Sequence, residues 1–273
     1  MSSQSPGEKS PAPYDATRLA EEIEARVTSG KLTPGEALPP ARELAARYGV
    51  NRNTVVKAIT ALKARGILTG AAGGRTWVRV RPPQITRHNR RYQIEKDSVL
   101  SDDAARASYG VSEADSGIPV QHLYEDICTY EVVRGPEDVR HILRVPDDEM
   151  LLRRTYIRRH AERAGAGTST SYLTYALASQ NEALLDPSNE PWPGGTMHQL
   201  YTVGVELGRI DDHVLASMPT PEEQALLDIP ASVPLLRVRK ISYSTEGRAV
   251  EVSEIPLPGD RATLIYTTPL EGW

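Results

Sequence analysis

The chain has 273 residues, of which 39% are hydrophobic, a length and composition that suggest two folded domains and exclude a largely disordered protein. No apolar run approaches the roughly 18 residues needed to span a bilayer, and no secretory signal is visible in the polar N-terminus, so we expect a cytoplasmic protein. The net charge is −4, and the one cysteine, Cys128, excludes an internal disulfide and a zinc site built from several thiolates.

Charge is distributed unevenly, between a basic first part and an acidic remainder. Residues 14–90 carry 14 Lys and Arg against 6 Asp and Glu, whereas residues 91–273 carry 17 against 29. This asymmetry indicates nucleic-acid binding by the first part, although a solvated basic face has the same composition. We predict a disordered tail at 1–13, a first domain at 14–80, a polar linker at 81–98 and a second domain at 99–273.

The first domain has the pattern of three helices followed by a hairpin. Asn51 is a suitable N-cap for the third helix, which is predicted over residues 52–65. Its apolar stripe repeats at i, i+4 and i+7, in Val55, Ile59 and Leu62. Two paired strands are predicted at 67–69 and 75–80.

Three helices and a trailing hairpin make a winged helix-turn-helix, whose recognition helix enters the major groove of DNA. Between Ala37 and Arg81, nine Lys and Arg stand against one acid, Glu43, which places positive charge on the elements that would face DNA. The run LPPARELAARYGVNRNTVVKAITALKARGIL resembles the N-terminal domain of GntR-type bacterial transcription regulators over about residues 14–80.

This resemblance implies which side chains contact DNA. Arg42, on the first helix of the motif, would read a base. Phosphates or bases would be contacted by Asn51, Arg52, Thr54 and Lys57. The minor groove would receive the wing residues Gly73, Gly74 and Arg75. The structural alternatives are solvated arginines, a purely capping role for Asn51 and a plain turn at the two glycines.

The second domain mixes strands with helices and is predicted to be α+β. Helices are predicted at 136–143, 195–203 and 220–228. Strands are predicted at 151–159, 168–176, 205–217, 235–244, 248–255 and 263–268. Short polar turns such as 244–247 join several of these strands, which favours an antiparallel sheet.

The runs PEDVRHILRVPDDEMLLRRTYIRR, SYLTYAL and PGDRATLIYTTPL resemble, in order and spacing, the UTRA effector domain of HutC-like GntR regulators over about residues 118–270. The resemblance implies a fold similar to chorismate lyase, a small-molecule pocket and homodimerisation through this domain. The predicted architecture is therefore a winged helix-turn-helix joined to an α+β UTRA domain.

The resemblance also implies that one strand of the pocket and its neighbours hold an anionic or sugar-like effector. The candidates are Arg154, Tyr156, Arg158, Ser169, Ser171, Tyr172 and Glu251. Ser169-Thr170 stands where the family often has a glutamate ahead of Ser-Tyr-Leu, which argues against the usual sugar phosphates. Solvated or ion-paired arginines and a core position for Tyr172 are the alternatives, and residues 191–195 are either a loop over the pocket or a plain surface loop.

We therefore predict a homodimeric, sequence-specific regulator, a repressor at a palindromic operator in double-stranded DNA, whose affinity is modulated by a small molecule. Two alternatives stay open: a regulator that needs no effector, and a chorismate-lyase-like enzyme, for which no nucleophile–base constellation is visible. The six histidines lack metal-ligand spacing, so we predict no metal and no cofactor, and we predict no membrane partner.

Overall fold

The computed structural model of the chain describes residues 14–70, 74–80, 84–108, 123–160 and 165–270. The chain divides into two compact units, Met1–Arg81 and Pro82–Trp273. The tail predicted to be disordered, 1–13, lies outside the described residues.

The first unit contains three helices and a short antiparallel hairpin. Its elements are α1 (Ala16–Thr28), α2 (Ala41–Tyr48), α3 (Arg52–Ala64), β1 (Leu68–Thr69) and β2 (Trp77–Val78). Asp15 caps α1 by accepting a hydrogen bond from the Arg18 amide (2.8 Å). Gly49 ends α2 with a φ of 65°, a left-handed conformation that glycine adopts at little cost.

The predicted apolar stripe of the third helix is confirmed. Val55 and Leu62 are fully buried, and Ile59 packs partly buried against the same core. Leu19 and Ile23 of α1 and Leu44 of α2 complete its centre. Because each helix buries one face, the opposite face of α3 is left for solvent or a ligand.

The second unit is built on a six-stranded antiparallel sheet. Its strands are β4 (Leu123–Val133), β5 (Leu151–His160), β6 (Gly167–Thr174), β7 (Leu207–Ser217), β8 (Leu235–Ser244) and β9 (Ala249–Pro258). The strand order is β4-β5-β6-β9-β8-β7, with every neighbouring pair antiparallel. A separate two-stranded sheet pairs β3 (Ile85–His88) with β10 (Ala262–Ile265). The predicted α+β class is confirmed.

In the part of the second unit that the structure describes, six α-helices accompany these strands. They are α4 (Arg91–Ser98), α5 (Asp103–Ser108), α6 (Glu137–Leu143), α7 (Tyr175–Ala178), α8 (Gly195–Thr202) and α9 (Pro221–Leu227). The predicted start of α9 is confirmed as a capping box, in which Thr220 Oγ1 accepts from the Glu223 amide (3.3 Å) and Glu223 Oε2 accepts from the Thr220 amide (2.8 Å). Among the described residues, no helix has the length and apolar character needed to cross a bilayer.

The prediction of a linker over residues 81–98 is wrong for residues 85–98, which form a strand and a helix. Ile85 begins β3, which runs parallel to β10, and the chain then forms α4. Both elements belong to the second unit, and Glu95 of α4 is 8% exposed. The segment is polar because several of its side chains face a polar cavity rather than solvent.

Candidate functional site

The first turn of α3 has a side-chain N-cap and is exposed to solvent. Asn51 Oδ1 accepts hydrogen bonds from the Thr54 amide (2.8 Å) and from Thr54 Oγ1 (3.1 Å). Such a cap stabilises a helix by about 1 kcal/mol, and the N-terminal end of a helix carries a partial positive charge. The predicted capping role of Asn51 is confirmed, and its amide nitrogen lies on an exposed residue that can still donate to DNA.

Exposed cationic side chains lie on both α2 and α3. Arg42 on α2 and Arg52 and Lys57 on α3 are exposed, whereas Thr54 is half-buried. Arg47, five residues after Arg42 on the same helix, instead pairs with Glu43 at 3.0 Å. A capped helix N-terminus with arginines on its open side is the arrangement that binds phosphate and reads base edges in the major groove.

The predicted wing is described only in part. Gly73 lies outside the described residues, whereas Gly74 and Arg75 are exposed immediately before β2. The loop begins at Gly70, whose carbonyl accepts a hydrogen bond from Lys63 Nζ (2.7 Å). The base of the wing is thus fixed to the recognition helix.

The second unit contains a cavity of about 350 Å³ on one face of its six-stranded sheet. Helices α4 and α8 and the loop 190–194 contribute its other walls. Of the seven residues predicted to bind an effector, five line this cavity: Tyr156, Arg158, Ser169, Ser171 and Glu251. They share one face because β5 and β6 pair Tyr156 with Ser169, and alternate residues point the same way.

Arg154 lies beneath the cavity rather than on its surface, which corrects its predicted contact with the effector. Its side chain is 1% exposed, and its guanidinium is used within the protein. Nε donates to Ser171 Oγ (2.9 Å), Nη1 to Gln199 Oε1 (2.6 Å) and Nη2 to Glu251 Oε1 (3.0 Å). All three acceptors line the cavity, so Arg154 positions cavity groups from β6, α8 and β9.

Glu251 is the buried counter-ion of two cations. Its Oε1 faces Arg154, and its Oε2 lies 2.9 Å from Lys240 Nζ and accepts from Ser242 Oγ (3.0 Å). Burial alone raises the pKa of Glu251, but Lys240 and Arg154 outweigh it and hold the pKa below its usual value. The carboxylate is therefore ionised at neutral pH.

Tyr172 is placed on the opposite face of the sheet, so its predicted effector contact is also corrected. One residue along β6 from Ser171, it packs against Val139, Leu151 and Val252. A one-residue step reverses side-chain direction in a strand. The core alternative stated for this residue is the one observed.

Glu190, which the sequence analysis did not single out, organises a second group of side chains at the cavity. Its Oε1 accepts from Tyr130 OH (2.6 Å), Tyr156 OH (3.1 Å) and Gln199 Nε2 (2.9 Å), and its Oε2 accepts from the Trp192 amide (2.9 Å). Burial raises the pKa of this carboxyl, but these hydrogen bonds, Tyr130 first, hold the pKa below its usual value. These hydrogen bonds anchor the loop that begins at Glu190, and residues 191–195 line the cavity. Of the two alternatives for these residues, this agrees with a loop over the pocket and not with a plain surface loop.

The segment that follows the first unit also forms a cavity wall. Ile85, Arg87, Arg91, Tyr92 and Glu95 all line the cavity. Arg87 Nη2 donates to Tyr92 OH (3.2 Å), and Tyr92 OH donates to Asp212 of β7 (2.8 Å). Burial raises the pKa of Glu95, whose carboxylate accepts the amide hydrogen of Met197 in the first turn of α8. Sequence reasoning missed these residues because it assigned them to a linker.

The side chains of this cavity can recognise a ligand by hydrogen bonds and by charge. Hydroxyl, amide and ionised groups converge on it beside the apolar side chains of Ile85, Ile255 and Leu257. Within the described ranges, no cluster of three or more His, Cys, Asp and Glu is arranged to hold a metal ion. The arrangement suits a small polar ligand with an apolar part.

Two family descriptions match the chain. Residues 15–78 match "Bacterial regulatory proteins, gntR family", and residues 121–263 match "UTRA domain". The second match spans more than half of the chain. Both matched regions carry the geometry described above, the helical unit with its hairpin and the sheet with its cavity.

Curated relatives are similar over nearly the whole chain. The HTH-type transcriptional repressor NagR of Bacillus subtilis is 23% identical over 91% of this chain and 92% of its own length. MngR of Escherichia coli, a mannosyl-D-glycerate transport/metabolism system repressor, is 22% identical over 86% and 88%. A crystal structure of a GntR-family transcriptional regulator matches the fold with a TM-score of 0.60 and 20% identity, over 94% of this chain and 98% of that one. These proteins are transcription regulators and not enzymes.

Proposed function

The chain belongs to the GntR family of bacterial regulatory proteins and carries a UTRA domain, and from this premise we propose that it is a homodimeric, effector-responsive repressor of transcription. It is a DNA-binding transcription regulator. The finer proposal is that it acts in the cytoplasm, binds a palindromic operator and changes its DNA affinity when a small molecule occupies the cavity.

The exposed, capped end of α3 is the observation that carries the DNA-binding half of the proposal. We assign base reading to Arg42, and phosphate or base contacts to Asn51, Arg52, Thr54 and Lys57. The wing contacts are assigned to Gly74 and Arg75, together with Gly73, which lies outside the described residues.

Effector control is supported by the chain segment that leads away from the first unit. Val78 ends the hairpin, and Ile85, seven residues later, already lines the cavity. Seven residues of extended chain reach at most about 25 Å, so a ligand that moves β3 acts on a short tether. A ligand that binds one arrangement of this segment better than another changes DNA affinity by its differential binding, typically about 1–3 kcal/mol.

A palindromic operator follows from the proposed two-fold symmetry. Two copies related by a two-fold axis present two recognition helices, which contact half-sites about 34–36 Å or one helical turn apart. Residues 91–273 carry 17 Lys and Arg against 29 Asp and Glu, and this negative charge favours contact with DNA through the basic first unit alone.

Footprinting tests the proposal on the DNA upstream of the protein's own coding region. We expect two protected segments of inverted sequence on one face of the duplex, with their centres one turn or a multiple of it apart. A DNA of the same composition in scrambled order is the control. Protection of a single segment contradicts the dimeric arrangement, and equal protection of both DNAs contradicts sequence-specific binding.

A further inference from the structure

Six cationic side chains line the cavity, and taken alone they suit an anion. They are Arg87, Arg91, Arg106, Arg158, Lys240 and Arg261. Whether they bind an anionic ligand depends on the acids that already face them.

Two of these cations pair with acids of the sheet. Arg158 Nε lies 3.1 Å from Asp126 Oδ1, in a cross-strand pair of β5 and β4. Lys240 Nζ lies 2.9 Å from Glu251 Oε2, between β8 and β9. Both acids are more than four-fifths buried, so each attraction is weakly screened by solvent.

Two others pair with acids close in sequence. Arg261 Nε lies 3.4 Å from Asp260 Oδ1, and Arg261 Nη2 donates to the Leu227 carbonyl (2.9 Å). Arg106 pairs with Asp103 and donates to the carbonyl of Val99 (3.2 Å). These guanidinium groups are oriented by the protein itself.

The remaining two belong to the segment that begins the second unit. Arg87 reaches Asp212 through the hydroxyl of Tyr92, with donor–acceptor distances of 3.2 and 2.8 Å. Arg91 is electrostatically attracted to Glu95, which also lines the cavity. Four of the six cations therefore form an ion pair with an acid of the same chain. Arg87 reaches an acid through a hydroxyl, and Arg91 lies four residues before Glu95 on α4.

The charges around the cavity balance. The six cations that line the cavity and Arg154, which lies beneath it, make seven. Seven acids face or pair with them: Glu95, Asp103, Asp126, Glu190, Asp212, Glu251 and Asp260. The set has zero net charge with all groups ionised, and a charge of plus one with Glu95 protonated. A phosphate ester brings about −1.5 to −2 and leaves this set with an excess of negative charge in either case.

A ligand without net charge avoids this excess. Neutral hydrogen-bonding groups on the cavity wall include Ser169, Ser171, Gln199 and Ser253, and the apolar side chains lie beside them. Such groups select a ligand by the position of its hydroxyl and amide groups, since an unmatched group is left without a partner.

We propose that the effector of this protein is a polar molecule of zero net charge, and not a phosphorylated or other multiply charged anion. This inference rests on the proposed role of the cavity as the effector site.

Titration calorimetry on the full chain tests the proposal with inorganic phosphate as the probe, against chloride at matched ionic strength. We expect no saturable binding of phosphate to the unaltered protein. Asp126→Asn removes the carboxylate from Arg158 and should create saturable binding, at least about tenfold tighter than any residual affinity of the unaltered chain. Asp103→Asn, at an acid that is 90% exposed, gives a second variant that leaves the fold undisturbed and should act in the same direction.

The matched control is Glu131→Gln. Glu131 pairs with Arg153 between the same two strands, at 2.6 Å, but on the opposite face of the sheet. This variant should bind phosphate no better than the unaltered chain. Saturable phosphate binding by the unaltered chain overturns the proposal, and so does the absence of any gain in both cavity variants.

A second measurement compares uncharged sugars with their phosphate esters by thermal shift. The saturable shifts should come from the uncharged member of each pair. Shifts confined to the esters overturn the charge assignment. DNA affinity is measured on the same preparations, and a chain that fails to bind DNA contradicts the proposed function separately, whichever ligand class is bound.

Discussion

Replacing Arg154 by methionine is expected to lower the free energy of unfolding by about 3–5 kcal/mol, the largest stability effect among the changes considered for the second unit. The methionine leaves Glu251, itself 1% exposed, without one of its two cations. It also removes the donors that Ser171 and Gln199 accept from. Urea unfolding, followed separately for each unit, measures the loss.

The neighbouring residue supplies the control for this variant. Arg153 also pairs with a carboxylate across β4 and β5, at 2.6 Å, but its side chain is 37% exposed. Arg153→Met should therefore cost less than about 1 kcal/mol. If Arg154→Met and Arg153→Met lower the free energy of unfolding equally, the assignment of a stabilising buried ion pair to Arg154 is contradicted.

A double variant separates the charge effect from packing. Adding Glu251→Gln to Arg154→Met removes the buried charge that was left with one partner fewer. Part of the lost stability should return, with a coupling energy of about 0.5–3 kcal/mol between the two positions. If the losses in unfolding free energy of the two single variants simply add in the double variant, the ion pair is not the cause of the lost stability.

Arg42→Ala is expected to weaken operator binding by about 1–3 kcal/mol, or roughly 5- to 150-fold, through loss of a base contact. Arg42 is exposed on α2, so the unfolding free energy of the first unit should change by less than about 0.5 kcal/mol. Fluorescence anisotropy at fixed salt measures the affinity, with the footprinted operator and a scrambled duplex as ligands.

Arg47→Ala is the matched control for this variant. Arg47 lies on the same helix but pairs with Glu43 at 3.0 Å. It should reduce affinity for both DNAs slightly and equally, whereas Arg42→Ala should act mainly on the operator. An unchanged operator affinity in Arg42→Ala contradicts the assignment of base reading to this residue.

Local patterns were sufficient to predict the helices of the first unit. The spacing of Val55, Ile59 and Leu62 and the cap at Asn51 are signals within a few residues, and packing does not override them. The strand β8, Leu235–Ser244, was predicted over its observed residues for the same reason. Its turn and its apolar periodicity are both local.

The sequence near β3 gives no indication that this segment pairs with a strand far away in the chain. The four-residue strand β3 pairs with β10, which begins at Ala262, and a short polar strand is hard to distinguish from a linker. The edge strand β4, Leu123–Val133, was also missed, although alternation of aromatic and β-branched residues in it could have indicated a strand.

The sequence predicted which strands line the cavity, but it did not predict the hydrogen bonds among the side chains of the cavity. Period two correctly grouped Tyr156 and Arg158, but it could not tell whether a side chain lines the cavity or lies beneath it. Arg154 lies beneath because Ser171, Gln199 and Glu251, from three other elements, close over it. Such a position depends on tertiary contacts that a single-sequence pattern does not contain.

The salt dependence of binding to the upstream DNA tests most directly the claim that the basic first unit attaches this protein to duplex DNA. For the full chain, a plot of log affinity against log salt concentration should be linear, with affinity falling by about 10³-fold or more between 50 and 200 mM salt when six or more phosphates are contacted. Replacing Lys57 by alanine should make the slope shallower by about one. Affinity that stays constant across this salt range, or no affinity for any duplex, contradicts it.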